Sequence, residues 1–184
     1  MYLPDGNNLF KYFLMLTASE LTAKYGKPGD PSKITSIILP YPMRIAWLPT
    51  QTVSKIQCNK GIAPNLLKCF EELLQAYSLP EIKRLGIDLF GGCVNVRPKR
   101  GLEAKYTAAM KADNTVLAES YLSRHAWGCA IDLDPARNGL KVKKPVAQFS
   151  KPEYKFMVDT FHKHGFIGYG PERNYDAMHW EIGS

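Results

Sequence analysis

The stretch from Cys129 to Leu133 constrains the fold most, because it is an apolar, strand-like run that carries a carboxylate, Asp132. Its neighbours predict a buried strand. An isolated carboxylate in such a setting is costly unless it is paired or binds a metal. The fold must therefore supply a partner for Asp132, either an arginine, or backbone amides, or further ligands that share a metal ion with it.

Two clusters of histidine and carboxylate offer such ligands. His125 lies seven positions before Asp132, and a second cluster, from Asp176 to Glu181, contains His179. Zinc hydrolases commonly use three protein ligands and leave the fourth position to water, whose pKa falls to about 7. His125, Asp132 and His179 provide that set. A further carboxylate, Asp176 or Glu181, is then needed to accept the proton of the water.

The sequence Ser-x-His-x-x-Gly-x-Ala-x-Asp is complete from Ser123 to Asp132, and Asp-x-x-His follows from Asp176 to His179. Together they resemble the family of zinc D-alanyl-D-alanine carboxypeptidases and dipeptidases and phage L-alanyl-D-glutamate endolysins. The turn Asp134–Asn138 also looks like that of phage members. The resemblance covers roughly residues 56–184.

The resemblance implies a role for each motif residue. In the family, the histidine and aspartate of the first motif and the later histidine bind zinc, which carries over to His125, Asp132 and His179. The acidic residue three positions before the last histidine is the general base, which implies Asp176. Glu181 then becomes a residue that supports a ligand or the neighbouring strand.

Family members also place an arginine before the first motif, where it binds substrate and stabilises the developing oxyanion. Arg97 looks equivalent, and Ser123 is predicted to bind substrate with it. Phage relatives often have a short link at this point, whereas this chain inserts residues 105–122. Arg100 and Arg124 therefore stay open as alternatives to Arg97.

The rest of the chain predicts an α+β fold. Three β-rich stretches, 34–39, 43–48 and 53–58, are bounded by prolines 40, 42 and 49. A strand with a bulge is predicted over 87–96, and alternation over 178–182 places His179 and Glu181 on one face. The resemblance implies a small antiparallel sheet flanked by helices, with the zinc site in a cleft, as in D-Ala-D-Ala carboxypeptidases and the hedgehog signalling domain.

Three helices are predicted. Apolar residues recur at helical spacing from Pro64 to Tyr77, and a polar, alanine-rich stretch favours a short helix over Glu103 to Lys111. Ser150 and Glu153 form a capping-box pattern ahead of a third helix, which Gly165 ends. Trp127 and Trp180, and the histidines at 162 and 164, are predicted to be structural rather than ligands.

At 184 residues and 45% hydrophobic, the chain predicts one domain. A turn at Lys27–Pro31 marks off an N-terminal arm; residues 1–50 form this arm and strands, and residues 56–184 form the catalytic region. The dispersed cysteines at 58, 69, 93 and 129 indicate reduced thiols. The run Leu9 to Leu16 is too short for a membrane span and poorly flanked for a signal peptide, which predicts cytoplasmic synthesis and no stable membrane insertion.

The formal charge of +7 suits an anionic partner, although the lysines could simply solvate the surface. No nucleic-acid motif is present, so nucleic acid is not expected. The leading hypothesis is a monomeric zinc peptidase that cuts stem or cross-link peptides of bacterial peptidoglycan as a phage or prophage endolysin, acting on the wall after release or lysis. The alternatives are a cytoplasmic D-Ala-D-Ala dipeptidase or carboxypeptidase, and a non-catalytic zinc-bearing module, which the presence of Asp176 argues against.

Overall fold

The computed structural model describes residues 15–184, without the side chain of Glu172, and shows an α+β fold. Six strands form one sheet in the order β2-β1-β3-β4-β6-β5. Neighbouring strands are antiparallel except for β1 and β3, which are parallel. The strands are β1 (Ile34–Ile45), β2 (Leu48–Asn59), β3 (Leu89–Gly92), β4 (Ala130–Leu133), β5 (Phe166–Gly168) and β6 (His179–Ile182). The predicted fold class, a small and mainly antiparallel sheet flanked by helices, is confirmed.

The helices connect the strands and cover the sheet. They are α1 (Ala18–Tyr25), α2 (Ala63–Ala76), α3 (Leu79–Leu85), α4 (Glu103–Lys111), α5 (Thr115–Ser120), α6 (Pro135–Asn138), α7 (Lys155–Lys163) and α8 (Tyr169–Arg173). The predicted helices over 64–77 and 103–111 are confirmed as α2 and α4. Helices α1, α3, α5, α6 and α8 were not predicted, because their short segments have no apolar periodicity long enough to detect. None of the helices in residues 15–184 is long and apolar enough to cross a membrane. Most of the run from Leu9 to Leu16, namely residues 9–14, lies outside the described residues.

The core lies between the sheet and two helices. Phe161 of α7 packs against Phe70 of α2 at a ring distance of 6.3 Å and against Trp180 of β6 at 4.8 Å. Trp127 is also buried. Both tryptophans therefore have the structural role predicted for them. The four cysteines are free and buried, as predicted.

The prolines in the first hairpin do not end strands, contrary to the prediction. Pro40 and Pro42 lie inside β1, and Pro49 lies inside β2. A proline lacks the N–H that a continuous ladder needs, so it is tolerated where the ladder is interrupted or at an edge. The β1–β2 register shifts between Ile38 and Met43, which spans the first two prolines. The third lies in the edge strand β2.

Two further boundaries differ from the prediction. The capping box at Ser150 does not form, because the Ser150 hydroxyl donates to the Ala147 carbonyl at 2.6 Å and a separate turn at Pro152–Tyr154 precedes α7. The strand predicted over 87–96 is shortened to β3. After β3 the chain leaves the sheet, and the Asn95 N–H donates to the His125 carbonyl at 2.9 Å. The predicted bulge at the glycine pair is confirmed by the register shift between β3 and β4.

Asn59 joins three parts of the chain from the buried end of β2. Its side-chain amide donates to the carbonyls of Tyr25 at 3.0 Å and Trp127 at 2.9 Å, and its side-chain oxygen accepts the Gly61 N–H at 2.9 Å. These bonds fix the end of α1 and the segment that carries His125 against the sheet.

We expect Asn59→Ala to lower the free energy of unfolding by about 2–3 kcal/mol, because three hydrogen bonds are lost and buried backbone groups are left unpaired. Asn95→Ala is the matched control, since its exposed side chain has no hydrogen bond within the described chain. It is expected to change stability by less than about 0.5 kcal/mol. Denaturant unfolding of both variants measures this, and equal midpoints for the two would contradict the role of Asn59.

Candidate metal centre

Two of the predicted ligands meet because β4 and β6 are paired in a definite register. Asp132 lies directly opposite His179, and Ala130 lies opposite Glu181. Residues opposite each other in an antiparallel pair share a face of the sheet. The intervening Ile131 and Trp180 point to the other face and into the core. The predicted placement of His179 and Glu181 on one face is confirmed.

The third predicted ligand comes from a short 3₁₀ turn, Arg124–Trp127, that precedes β4. Gly128 ends this turn with a φ of +66°, and a Cβ there would lie 3.0 Å from the Asn59 backbone nitrogen. The glycine of the first motif is therefore required both by its backbone conformation and by the close approach of β2. This turn brings His125 over the face that carries Asp132 and His179.

The three side chains form a compact triangle of ligand atoms. His125 Nε2 lies 3.2 Å from His179 Nδ1 and 3.2 Å from Asp132 Oδ1, and His179 Nδ1 lies 3.0 Å from Asp132 Oδ1. All three residues are buried. Among residues 15–184 this is the one group of three or more such side chains whose ligand atoms come this close.

The spacing and the chemistry of this triangle fit a divalent metal ion. An ion bound tetrahedrally at about 2.0–2.1 Å, as zinc is by histidine, has neighbouring ligand atoms about 3.3 Å apart. The observed distances of 3.0 to 3.2 Å are close to that value. Two imidazoles and one carboxylate are also a ligand set that catalytic zinc sites use.

The other ring nitrogens have partners that leave the correct lone pairs free. His125 Nδ1 donates to the Cys93 carbonyl at 2.8 Å, which leaves Nε2 as the ligand atom. His179 Nε2 donates to Glu181 Oε2 at 3.1 Å, which leaves Nδ1. Outer partners of this kind orient metal-binding histidines and fix their tautomers.

The pKa shifts of Asp132 and His179 favour a negative carboxylate beside positive charge within the cluster. Burial raises the pKa of Asp132, but hydrogen bonds with His125 and His179 outweigh burial and hold the pKa well below its usual range. Burial lowers the pKa of His179, yet its hydrogen bonds to Asp132 and Glu181 raise it to about 9.

Asp176 lies three residues before the start of β6, and its carbonyl accepts the N–H of the candidate ligand His179 at 3.0 Å. Its backbone φ of +49° is unusual for a residue other than glycine, and its Oδ1 is buried with no hydrogen-bond partner in the described chain. Burial raises the pKa of Asp176. The charge of His179 opposes this rise, and the charge of Asp132 adds to it. Strained backbone and a buried, unpaired carboxyl oxygen are typical of functional positions.

A cavity of about 430 Å³ opens over two of the three candidate ligands, Asp132 and His179. Asp132, His179, Asp176 and Ser123 all line it. Five cationic side chains line it as well, against two carboxylates; they are Arg97, Lys99, Arg100, Arg124 and Arg173. The cavity therefore favours an anionic ligand.

The three candidate arginines all reach the cavity, but their partners differ. Arg124 Nε lies 3.7 Å from Glu181 Oε1, and its guanidinium also donates to the Leu16 carbonyl. Within residues 15–184, the one hydrogen bond of the Arg97 side chain is to the neighbouring Pro98 carbonyl, at 3.2 Å. Within the described residues, neither Arg97 nor Arg100 has a carboxylate within ion-pair distance. These two remain open to bind a ligand.

The inserted segment does not separate Arg97 from the first motif. The Ser123 N–H donates to the Arg97 carbonyl at 3.0 Å, and the Lys99 N–H donates to the Tyr121 carbonyl at 2.8 Å. Pro98 also bridges to Leu122. These contacts close the base of the insertion, which projects as α4 and α5 while Arg97 stays beside Ser123.

Sequence reasoning missed three contributors to the site. Tyr169 and Arg173 of α8 line the cavity, and the Cys93 carbonyl orients His125. The glycine- and aromatic-rich composition of 166–182 was the one signal for the first two. A backbone carbonyl leaves no signal in the sequence. His164 bonds to Glu72 at 2.8 Å and is not among the residues of the ligand cluster, as expected for a structural histidine.

Comparison with known proteins matches part of the chain. The profile of a family described as D-alanyl-D-alanine carboxypeptidase matches residues 118–182. That range contains both motifs, the three candidate ligands and Asp176, but not Arg97. No significant match is found among curated proteins. The match supports a metallopeptidase, and residues 118–182 are similar to the D-alanyl-D-alanine carboxypeptidase family, as the two motifs predict.

Proposed function

We propose that this protein is a zinc metallopeptidase that hydrolyses peptide bonds in the stem or cross-link peptides of bacterial peptidoglycan. The observation that carries the proposal is the triangle of His125, Asp132 and His179, two of which, Asp132 and His179, line a cationic cavity together with Asp176. The motif resemblance and the family match point to the same class of substrate.

His125, Asp132 and His179 would hold the zinc ion, which when bound supplies Lewis acidity and lowers the pKa of a water molecule to about 7. Asp176 takes the proton from the water as it attacks the peptide carbonyl and then gives this proton to the leaving amine. The raised pKa of Asp176 suits a group that must both accept and return a proton. Arg97 and Ser123 bind the substrate, and Arg97 stabilises the negative charge that develops on the carbonyl oxygen.

A phage or prophage endolysin is the context that we favour, since the basic chain and the cationic cavity suit an anionic wall polymer. A D-Ala-D-Ala dipeptidase or carboxypeptidase is the alternative. Incubation with intact sacculi, with purified muropeptides and with free D-Ala-D-Ala dipeptide, followed by mass analysis of the products, distinguishes the two and identifies the bond. Release of peptides from sacculi supports the endolysin, and cleavage of the dipeptide alone supports the alternative.

We expect about one zinc ion per chain, and we expect His125→Ala and His179→Ala to bind zinc on the order of a hundredfold more weakly, because each loses one of three protein ligands. His164→Ala is the matched control, since His164 bonds to Glu72 and not to the cluster. Metal analysis and chelator competition measure the affinity. Unchanged zinc binding in either ligand variant removes that residue from the site.

We expect Asp176→Asn to keep zinc bound but to lose activity on the order of a hundredfold or more, since a positioned general base typically contributes about 10²–10⁴. Asparagine tolerates the same backbone conformation, so the loop is preserved. At saturating zinc, Glu181→Gln is expected to cost much less. Turnover and zinc content are measured together, and the reverse order of activities would make Glu181 the base.

We expect salt to weaken the cleavage of intact wall more than the cleavage of a soluble stem peptide. The net charge of +7 attracts a polymeric anion over distances that salt screens. Rates on both substrates are compared between about 50 and about 500 mM salt, where the screening length falls from above 10 Å to a few Å. Equal salt dependence on the two substrates shows that the charge does not serve wall binding.

A further inference from the structure

We propose that Tyr169 is a positioning residue for the metal centre, which acts on the ligand His179 through the buried carboxylate of Glu181. This inference rests on the proposed metal binding by His179. It adds a residue from α8 that neither motif contains, and it is carried by hydrogen bonds and ring contacts around one carboxylate oxygen.

Glu181 is the partner that holds His179 from behind. Its side chain is 1% exposed, and its Oε2 accepts the proton of His179 Nε2 at 3.1 Å. The two residues are two positions apart in β6, so their side chains lie on the same face of the strand. A carboxylate in this position keeps the ring in the tautomer whose Nδ1 lone pair faces Asp132 and His125.

Tyr169 fixes that same oxygen from the cavity side. Its hydroxyl donates to Glu181 Oε2 at 2.8 Å, so one oxygen accepts from both the tyrosine and the histidine. The Tyr169 ring also packs against the His179 ring, with centroids 4.6 Å apart. Tyr169 thus contacts His179 directly by its ring and indirectly by its hydroxyl.

Arg124 supplies the opposite charge on the other side of the carboxylate. Its Nε lies 3.7 Å from Glu181 Oε1, an atom with no hydrogen bond within the described residues. The attraction is therefore long and weakly directional, and it does not hold the carboxylate in one rotation. The short bond from Tyr169 does. Without it, Glu181 could rotate and exchange oxygens, and the His179 ring would lose its fixed orientation.

Tyr175 offers a matched control on the same wall. It also lines the cavity, and its ring lies 5.3 Å from that of Tyr169. Its hydroxyl makes no hydrogen bond to Glu181. Tyr169→Phe and Tyr175→Phe therefore delete the same atom from neighbouring rings, and only the first removes a bond to Glu181.

The experiment measures zinc affinity by competition with a chromophoric chelator, using zinc alone and no substrate. Tyr169→Phe is expected to weaken zinc binding on the order of tenfold, since loss of an outer partner of a metal ligand typically costs about 10–100-fold. Tyr175→Phe is expected to stay within about twofold of the unmodified protein. Thermal unfolding of the metal-free proteins is expected to be similar for both variants, which separates a positioning role from a structural one.

Repeating the comparison in a Glu181→Gln background tests whether Tyr169 acts on His179 through the Glu181 carboxylate. A neutral amide accepts a weaker hydrogen bond than a carboxylate, so the effect of Tyr169→Phe on zinc affinity is expected to shrink there. An equal effect in both backgrounds, or equal zinc affinity of the two phenylalanine variants, overturns the proposal. Failure to cleave any muropeptide would overturn the proposed peptidase activity instead, because this comparison needs only zinc binding.

Discussion

The pairing of β4 with β6 is the constraint on which the rest of the site depends. It sets Asp132 opposite His179 and turns both away from a core that Ile131 and Trp180 fill from the opposite face. A slip of β6 by one residue would turn His179 toward the core and Trp180 toward the cavity. The register is therefore held by apolar burial on one face, and the chemistry of the other face follows from it.

The buried polar groups around Asp132 and His179 form a chain of contacts in which each group holds the next. The Cys93 carbonyl and Glu181 hold the two imidazoles, and Tyr169 and Arg124 in turn hold Glu181. Burying so many ionisable groups is costly unless each has a partner. A divalent ion bound by Asp132 and the two histidines would offset part of that cost, so metal affinity and the stability of this region are linked.

Two arginines at the cavity, Arg97 and Arg100, lack within the described residues the carboxylate partners that arginines elsewhere have. Arg44 pairs with Asp88 at 2.6 Å, and Arg137 pairs with Asp134 at 2.6 Å. Within the described residues, Arg97 has no comparable carboxylate. Contacts that close the base of the inserted helices hold Arg97 beside Ser123 at the cavity.

The sequence by itself predicted the candidate ligand set, the candidate general base and the elements with clear periodicity, such as α2 and β6, because each of these predictions rests on local spacing or a short motif. It misjudged Pro40 and Ser150, whose effects depend on ladder interruptions and competing hydrogen bonds. Only the tertiary structure decided that Arg124 pairs with Glu181 and that Tyr169 reaches the same carboxylate. Such contacts join segments that are far apart in the chain, and their distances are set by packing that no local pattern encodes.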